Sequence, residues 1–316
     1  MFRKLRILYN RRSGPGHSKL EAVQQAVSRA WGGVADRAWY FPSGREESDA
    51  MVAAAVADGA DCLLVCGGDG TVSSVGRRLL GTGVAMGAVP LGSGNGLARH
   101  FGVPLDPEEA VAALAGGSVR EMDVGVAGGV PFLVSASVAW DAALVKAYEA
   151  LPFRGVASYA LAGAWSYFDY TPQPTAAVVD GAEEVRLEKP FLFTVGNLAG
   201  WGGGALIDAE ASAEDGRLEL IAAERRDAPA MLAALPRVFQ EGGKALPGVC
   251  SGTGIAHGPA LPVDHIEKSL QLVPAIRNQF HPLGVLGKSA VQILFIKIRA
   301  VQKKSRISGR FREFFF

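Results

Sequence analysis

Two short polar loops carry the residue types best suited to holding a phosphate. Gly67–Thr71 reads GGDGT and Gly92–Gly96 reads GSGNG, about 25 residues apart. Each follows an apolar stretch and precedes a helix-like one. Glycine lets the backbone turn sharply and approach a ligand closely, and free N–H groups at the start of a helix suit phosphate oxygens. A third loop, NRRSG at Asn10–Gly14, follows the first apolar run. Asp69 is the single carboxylate in the two glycine loops. Such a carboxylate either takes a proton from an attacking hydroxyl or holds a cation against phosphate oxygens. Its alternative role is to cap the helix that follows.

The elements around these loops read as alternating strands and helices. LRILYN is a short buried strand, and Ser18 with Glu21 three residues on has a capping-box spacing that predicts a helix ending at Gly32–Gly33. ADRAWYF is a second strand, followed by a helix over about 46–58. DCLLVC is a third strand, leading through GGDGT into the helix VSSVGRRLL, and GVAMGAVPLG a fourth, leading through GSGNG into LARHF. Asp106 with Glu109 caps a further helix, PEEAVAALAGG. This alternation predicts a parallel sheet covered on both faces over residues 1–118. Ligands of such sheets bind beyond the carboxyl ends of the strands, where all three loops lie.

From 119 to about 250 the pattern changes. Short β-like runs (REMDVGVA, VPFLVSASVAW, TAAVVDG, EEVRLEKPFLFTVGN, GRLELIAA) alternate with helical patches near 141–150 and 156–168, and another helix follows at 228–243. The expectation is an α/β chain with an N-terminal parallel-sheet nucleotide-binding domain and a second, mainly antiparallel β domain.

Several chemistries are excluded. There is no G-x-x-x-x-G-K-[ST], no G-x-G-x-x-G between a strand and a helix, and no G-x-S-x-G elbow. The five histidines have no metal-ligand spacing, and Cys62, Cys66 and Cys250 make no disulfide framework. Cys62 and Cys66 read as small buried thiols on one face of a strand. The basic start MFRKLRILYNRRSG has too short an apolar run for a signal peptide, and no apolar window is long enough to span a membrane. A cytoplasmic protein, free or peripheral on a membrane, is expected, with no nucleic-acid partner.

The overall charge of +1 hides an asymmetry. Residues 251–316 hold ten Lys and Arg against three acids, while residues 1–250 hold 22 against 28. Isoleucine occurs three times before residue 251 and seven times after. The region 251–316 thus reads as an atypical basic tail, disordered or foreign to the rest. Its aromatic, basic end also suits contact with anionic membranes.

GGDGT with PLGSGNGLAR (90–99) and N-x-x-S-G at Asn10 resembles the catalytic domain of the superfamily of diacylglycerol kinases, sphingosine kinases and YegS-like bacterial lipid kinases, over about residues 3–245. The GSGN form and FLVSASVAWDA (132–142) resemble the sphingosine-type members more closely. The resemblance implies an ATP- and Mg²⁺-dependent kinase acting on a hydroxyl of a diacylglycerol- or sphingoid-like lipid at a membrane surface, with a homodimer as one assembly. It assigns nucleotide contacts to Asn10, Arg12, Ser13, Gly14, Ser43, Gly67, Gly68, Gly70, Thr71, Ser93, Gly94 and Asn95. Asp69 is the implied catalytic carboxylate, and Asp141 lies near the lipid head group or caps a helix. IDAEASAEDGRLEL (207–220) resembles a stretch that holds a structural Mg²⁺, implying Ser212, Asp215 and the Arg217 carbonyl as ligands. LPFRGVASYALAGAWSYF is either core or lipid pocket. The family's C-terminal DGE, whose Glu serves as general base, is replaced by PVDHIEKS, leaving Asp264 or Glu267 for that role. Two competing readings follow: a catalytically impaired nucleotide- or lipid-binding protein of the same fold, and an NAD kinase, which shares GGDGT.

Overall fold

A computed structural model describes residues 2–14, 16–127, 130–151, 156–179, 183–254, 256–257 and 295–298. The chain divides into two compact units. The first contains residues up to Asp123, the segment Trp201–Gly204 and the strand Phe295–Ile298.

Within the first unit, β1 (Lys4–Tyr9), β2 (Asp36–Tyr40), β3 (Cys62–Gly67) and β4 (Ala85–Pro90) alternate with α1 (Gly16–Ala30), α2 (Arg45–Ala57) and α3 (Asp69–Leu79). After β4 come α4 (Gly96–His100), α5 (Pro107–Ala115) and β5 (Val119–Met122). The sheet order is β2-β1-β3-β4, then Phe295–Ile298, then β5. The first four strands are mutually parallel. Phe295–Ile298 runs antiparallel to β4 and parallel to β5. Every residue of β3 and β4 is buried, as their continuous apolar runs require of strands covered on both faces. β2 lies at the edge and is only partly buried.

Two local readings are settled by geometry. The Asp106 carboxylate accepts from the Glu108 and Glu109 N–H groups at 2.9 and 3.2 Å, with Pro107 opening α5. By contrast α1 starts at Gly16, two residues before Ser18. Ser18 therefore lies inside the first turn rather than at its cap.

In the second unit, β6 (Gly125–Ala127) and β7 (Val130–Phe132) pair antiparallel. They are followed by β8 (Ser135–Ser137), α6 (Trp140–Ala150), α7 (Val156–Asp169), β9 (Thr175–Val179), β10 (Glu183–Leu187) and β11 (Pro190–Gly196). Next come β12 (Gly200–Gly202), of which only Gly200 belongs to this unit, then β13 (Ala205–Leu206), β14 (Leu218–Glu224), α8 (Ala228–Glu241), β15 (Val249–Gly254) and β16 (Ala256–His257). Two antiparallel sheets result, β15-β14-β11-β8 and β10-β9-β16. Ala139, Leu187, Phe193, Leu220 and Ala222 form a core cluster, and Trp140 stacks on Phe191 with ring centroids 4.4 Å apart. The stripe on α7 is not core throughout. Ala162 and Ser166 are buried, whereas Leu161, Trp165 and Phe168 are 50–80% exposed.

Candidate functional site

Strand order places the NRRSG and GGDGT loops side by side. The chain steps from β1 outward to β2, then returns to the other side of β1 as β3. The carboxyl ends of β1 and β3 flank the resulting crevice, the usual ligand position in an open α/β sheet. Asn10 ties the two together. Its backbone N–H donates to the Cys66 carbonyl at 2.9 Å, and its amide Nδ2 donates to Thr71 Oγ1 at 2.8 Å. Its Oδ1 accepts from the Arg12 N–H at 3.0 Å. Ser13 Oγ accepts from the Gly68 N–H at 3.3 Å, and Gly14 packs on the Leu91 carbonyl. The second glycine loop joins through the Leu91 N–H, which donates to the Gly67 carbonyl at 3.0 Å.

Asp69 locks the two glycine loops together. Its Oδ2 accepts from the Asn95 N–H at 2.8 Å and its Oδ1 from the Gly96 N–H at 2.6 Å. Although Asp69 is the first residue of α3, its carboxylate thus caps the start of α4. No side chain caps α3, whose N-cap is Gly68. The first turn of α3 therefore keeps N–H groups available to an anion. Asn95 adopts a left-handed φ of 54°, which asparagine tolerates because its amide bonds locally. Here Oδ1 accepts from the Gly92 N–H at 3.0 Å, and Nδ2 donates to the Gly92 carbonyl at 2.7 Å.

Glycine is required where these loops touch. A Cβ on Gly92 would lie 2.6 Å from the Gly68 Cα, and one on Gly94 only 2.3 Å from Asp69 Oδ2. The Gly94 carbonyl accepts from the Gly203 N–H at 2.8 Å and from Arg99 Nε at 3.0 Å. The segment Trp201–Gly204 thus braces the second loop.

Other nucleotide candidates are less engaged. Arg12, Gly70 and Ser93 are exposed. Ser43, beyond the end of β2, donates both its N–H and its Oγ to Glu47 at 2.6 Å. These bonds hold the Glu47 carboxyl below its usual range.

In the second unit Asp141 is buried. Its Oδ1 accepts from the Ala139 and Ala142 N–H groups at 3.2 and 3.1 Å, and its Oδ2 from the Thr194 hydroxyl, which in turn meets Ser137 Oγ at 3.0 Å. Burial outweighs these donors and pushes the carboxyl up to about 6. Asp141 therefore fastens the start of α6 to β8 and β11. The nearby Tyr170 phenol is pushed up to about 12, first by burial and then by the Asp141 charge.

The implied metal ligands form a turn ahead of β14. Ser212 Oγ accepts from the Glu214 N–H at 3.3 Å, and Asp215 Oδ1 from the Arg217 N–H at 2.9 Å. Among the described residues no three His, Cys, Asp or Glu side chains converge on a metal position. The donors are nevertheless all hard oxygens, the set Mg²⁺ takes with several retained waters. Sequence reasoning missed Glu219, which is 3% exposed with no hydrogen-bond partner for Oε2. Burial, then the Asp215 and Asp208 charges, push its carboxyl up to about 7. Asp208 is paired with Lys244 Nζ at 2.5 Å. An orphaned buried carboxylate beside Asp215 is what a divalent cation would satisfy, so the residues fit one. The signal for Glu219 was faint: an acid at an inward position of the otherwise apolar LELIAA. Asp264 and Glu267 lie outside the described residues.

The family model described as the diacylglycerol kinase catalytic domain matches residues 4–127, and that described as the YegS C-terminal NAD kinase beta sandwich-like domain matches 134–250. A diacylglycerol kinase of Mycobacterium tuberculosis is 30% identical over 244 residues, covering 75% of this chain and 78% of that protein. A Chromohalobacter salexigens protein named "probable lipid kinase YegS-like" is 34% identical over 186 residues, 56% of each chain. Among solved structures, a diacylglycerol kinase from Bacillus anthracis str. Sterne superposes with a TM-score of 0.63 at 20% identity, covering 82% of this chain and 87% of the other.

Proposed function

Because the chain belongs to the diacylglycerol kinase family and is therefore an enzyme of the phosphotransferase class, we propose that it transfers the γ-phosphoryl group of ATP to a hydroxyl of a diacylglycerol- or sphingoid-like lipid. The observation that carries this reading is Asp69. By spending both oxygens on α4, it couples the two glycine loops and leaves the start of α3 open. Phosphoryl transfer asks mainly for positioning and charge neutralisation, and such a cradle supplies both.

In this reading Gly68, Gly70 and Thr71 present backbone N–H groups to the phosphates, with Ser93 and Gly94 on the opposing loop. Asn10, Arg12, Ser13 and Ser43 line the nucleotide from the β1 and β2 ends, Gly14 and Gly67 permit its close approach, and Asn95 holds the GSGNG turn. Asp69 retains carboxylate lone pairs beyond the two it spends on N–H donors. With these it orients the acceptor hydroxyl or a cation at the phosphates. Mg²⁺, when bound with ATP, neutralises charge developing on the transferred group. Ser212, Asp215 and the Arg217 carbonyl would hold a separate, structural Mg²⁺. The apolar outer face of α7 supports work on a lipid at a membrane surface. The general base stays assigned to Asp264 or Glu267.

The test is transfer of γ-labelled phosphate from ATP in mixed micelles with Mg²⁺, offering diacylglycerol, sphingosine, ceramide and NAD. A labelled lipid, lost in Asp69→Asn, is expected. Label in NAD alone, or in no acceptor while the folded protein binds ATP, would overturn the proposal.

A further inference from the structure

Three aromatic side chains and one arginine meet where β1 and β2 end. Ile7 pairs with Trp39 in register, and strand alternation puts Tyr9 and Phe41, two residues further on, on the same face. Tyr9 is fully buried, while Trp39 and Phe41 are partly exposed. The Trp39 and Phe41 rings are parallel within 8°, with centroids 6.0 Å apart, and Tyr9 is tilted against both at 6.4 Å. Arg11 folds back over this cluster, its guanidinium carbon 4.5 Å from the Phe41 centroid. The guanidinium makes no hydrogen bond or ion pair among the described residues. Arg11 is exposed, so the face of the guanidinium turned away from Phe41 is open to solvent.

This cluster adjoins the glycine loops. Asn10, between Tyr9 and Arg11, donates to Thr71 Oγ1 and to the Cys66 carbonyl, and β1 alone separates β2 from β3 in the sheet. The Phe41 end of β2 therefore lies about 10 Å, two strand spacings, from the end of β3, a span that a ribose and its phosphates bridge. The opposite direction is closed. There the GSGNG loop packs so tightly on GGDGT that a Cβ on Gly92 would fall 2.6 Å from the Gly68 Cα. Guanidinium planes and aromatic rings both stack on bases, and a guanidinium already seated on a ring loses little freedom in doing so. We propose that Arg11, seated on Phe41, stacks against the purine base of the nucleotide whose phosphates lie on the glycine loops. Arg11 touches the base, and Phe41, braced by Trp39 and Tyr9, is a positioning residue that fixes the guanidinium plane. The inference rests on the nucleotide reading of those loops and adds a preference to it. A purine offers a larger π-face than a pyrimidine and stacks more strongly.

The experiment separates base from phosphate. Calorimetry gives the dissociation constants of ATP, CTP and inorganic tripolyphosphate for the full-length wild type, Arg11→Lys, Phe41→Leu and Phe41→Tyr. Wild type should bind ATP more tightly than CTP. Arg11→Lys keeps the charge without the plane, and Phe41→Leu removes the ring beneath it. Both should weaken ATP about tenfold, narrow the gap to CTP and leave tripolyphosphate unchanged, while Phe41→Tyr should retain wild-type affinity. Equal weakening of ATP and tripolyphosphate would overturn the proposal, since Arg11 would then serve the phosphates. Unchanged ATP affinity in Arg11→Lys and Phe41→Leu would overturn it too, leaving Arg11 as cover for an apolar sheet edge. Wild type that binds tripolyphosphate as tightly as ATP would sink the base platform alone, whereas binding of neither would sink the nucleotide reading with it. Arg11 is exposed, so Arg11→Lys remains informative even if Phe41→Leu folds poorly.

Discussion

Asp69 and Asp141 are both short acids near helix starts, yet they do different work. Asp69 accepts from two N–H donors of the opposite loop. In Asp69→Asn only one side-chain oxygen remains, and the new NH₂ faces an N–H donor. An unsatisfied buried donor costs about 1–3 kcal/mol, and loss of a positioned carboxylate lowers turnover by about a hundredfold or more. Thermal melts and phosphate transfer should show both effects. Gly94→Ala should mimic the loss while keeping the aspartate itself, since its Cβ would fall 2.3 Å from Asp69 Oδ2 and displace that carboxylate. Weaker ATP binding by calorimetry is the expected reading. Asp141 makes a prediction about pH. Its folded-state pKa, about 6, lies above the ordinary 3.8, so the folded state holds the proton more tightly than the unfolded chain. The associated stability is fully present below about pH 3.8 and is lost as pH rises through about 6, a span of about 3 kcal/mol. Asp141→Asn keeps the hydrogen-bonding shape without the titration. The stability of wild type relative to this variant should therefore fall between pH 4 and 7 in denaturant titrations. A constant difference would mean that Asp141 is not desolvated.

At the scale of elements, legibility followed how local the determining forces were. The runs LRILY, CLLVC and AMGAVP announce buried parallel strands because both faces are covered. Asp106 announces α5 because its cap reaches only two and three residues ahead. Replacing it by Ala should cost about 1 kcal/mol, measurable as a small drop in melting temperature with ATP binding unchanged. The glycine loops were legible for the same reason. Which helix Asp69 caps was not, because its donors lie 26 and 27 residues away and are set by how the two loops curve together. Glu219 was equally hidden. Its significance is that Oε2 has no hydrogen-bond partner among the described residues, and partners are a property of the packed chain. The start of α1 was misplaced because Gly16, a poor helix former, precedes a plausible serine cap.

At the scale of the whole molecule, the cradle is not built from contiguous sequence. The first unit takes Trp201–Gly204 from a stretch whose neighbours belong to the second. From that segment the Gly203 N–H reaches the Gly94 carbonyl at 2.8 Å, while Gly202 holds a φ of 113° against Gly94. A fragment ending at residue 127 retains Asp69, Asn95 and Gly96 but loses this brace. Its GSGNG loop should open locally at lower free energy than in the full chain, because local stability follows the contacts that close a segment. Hydrogen exchange reads this directly. The Asn95 and Gly96 amides, both donors to Asp69, should exchange faster in the fragment, while the β3 amides change far less. Uniform acceleration would instead mean that the fragment is globally destabilised. Equal protection of the loop in both would show that Asp69 alone suffices to hold it.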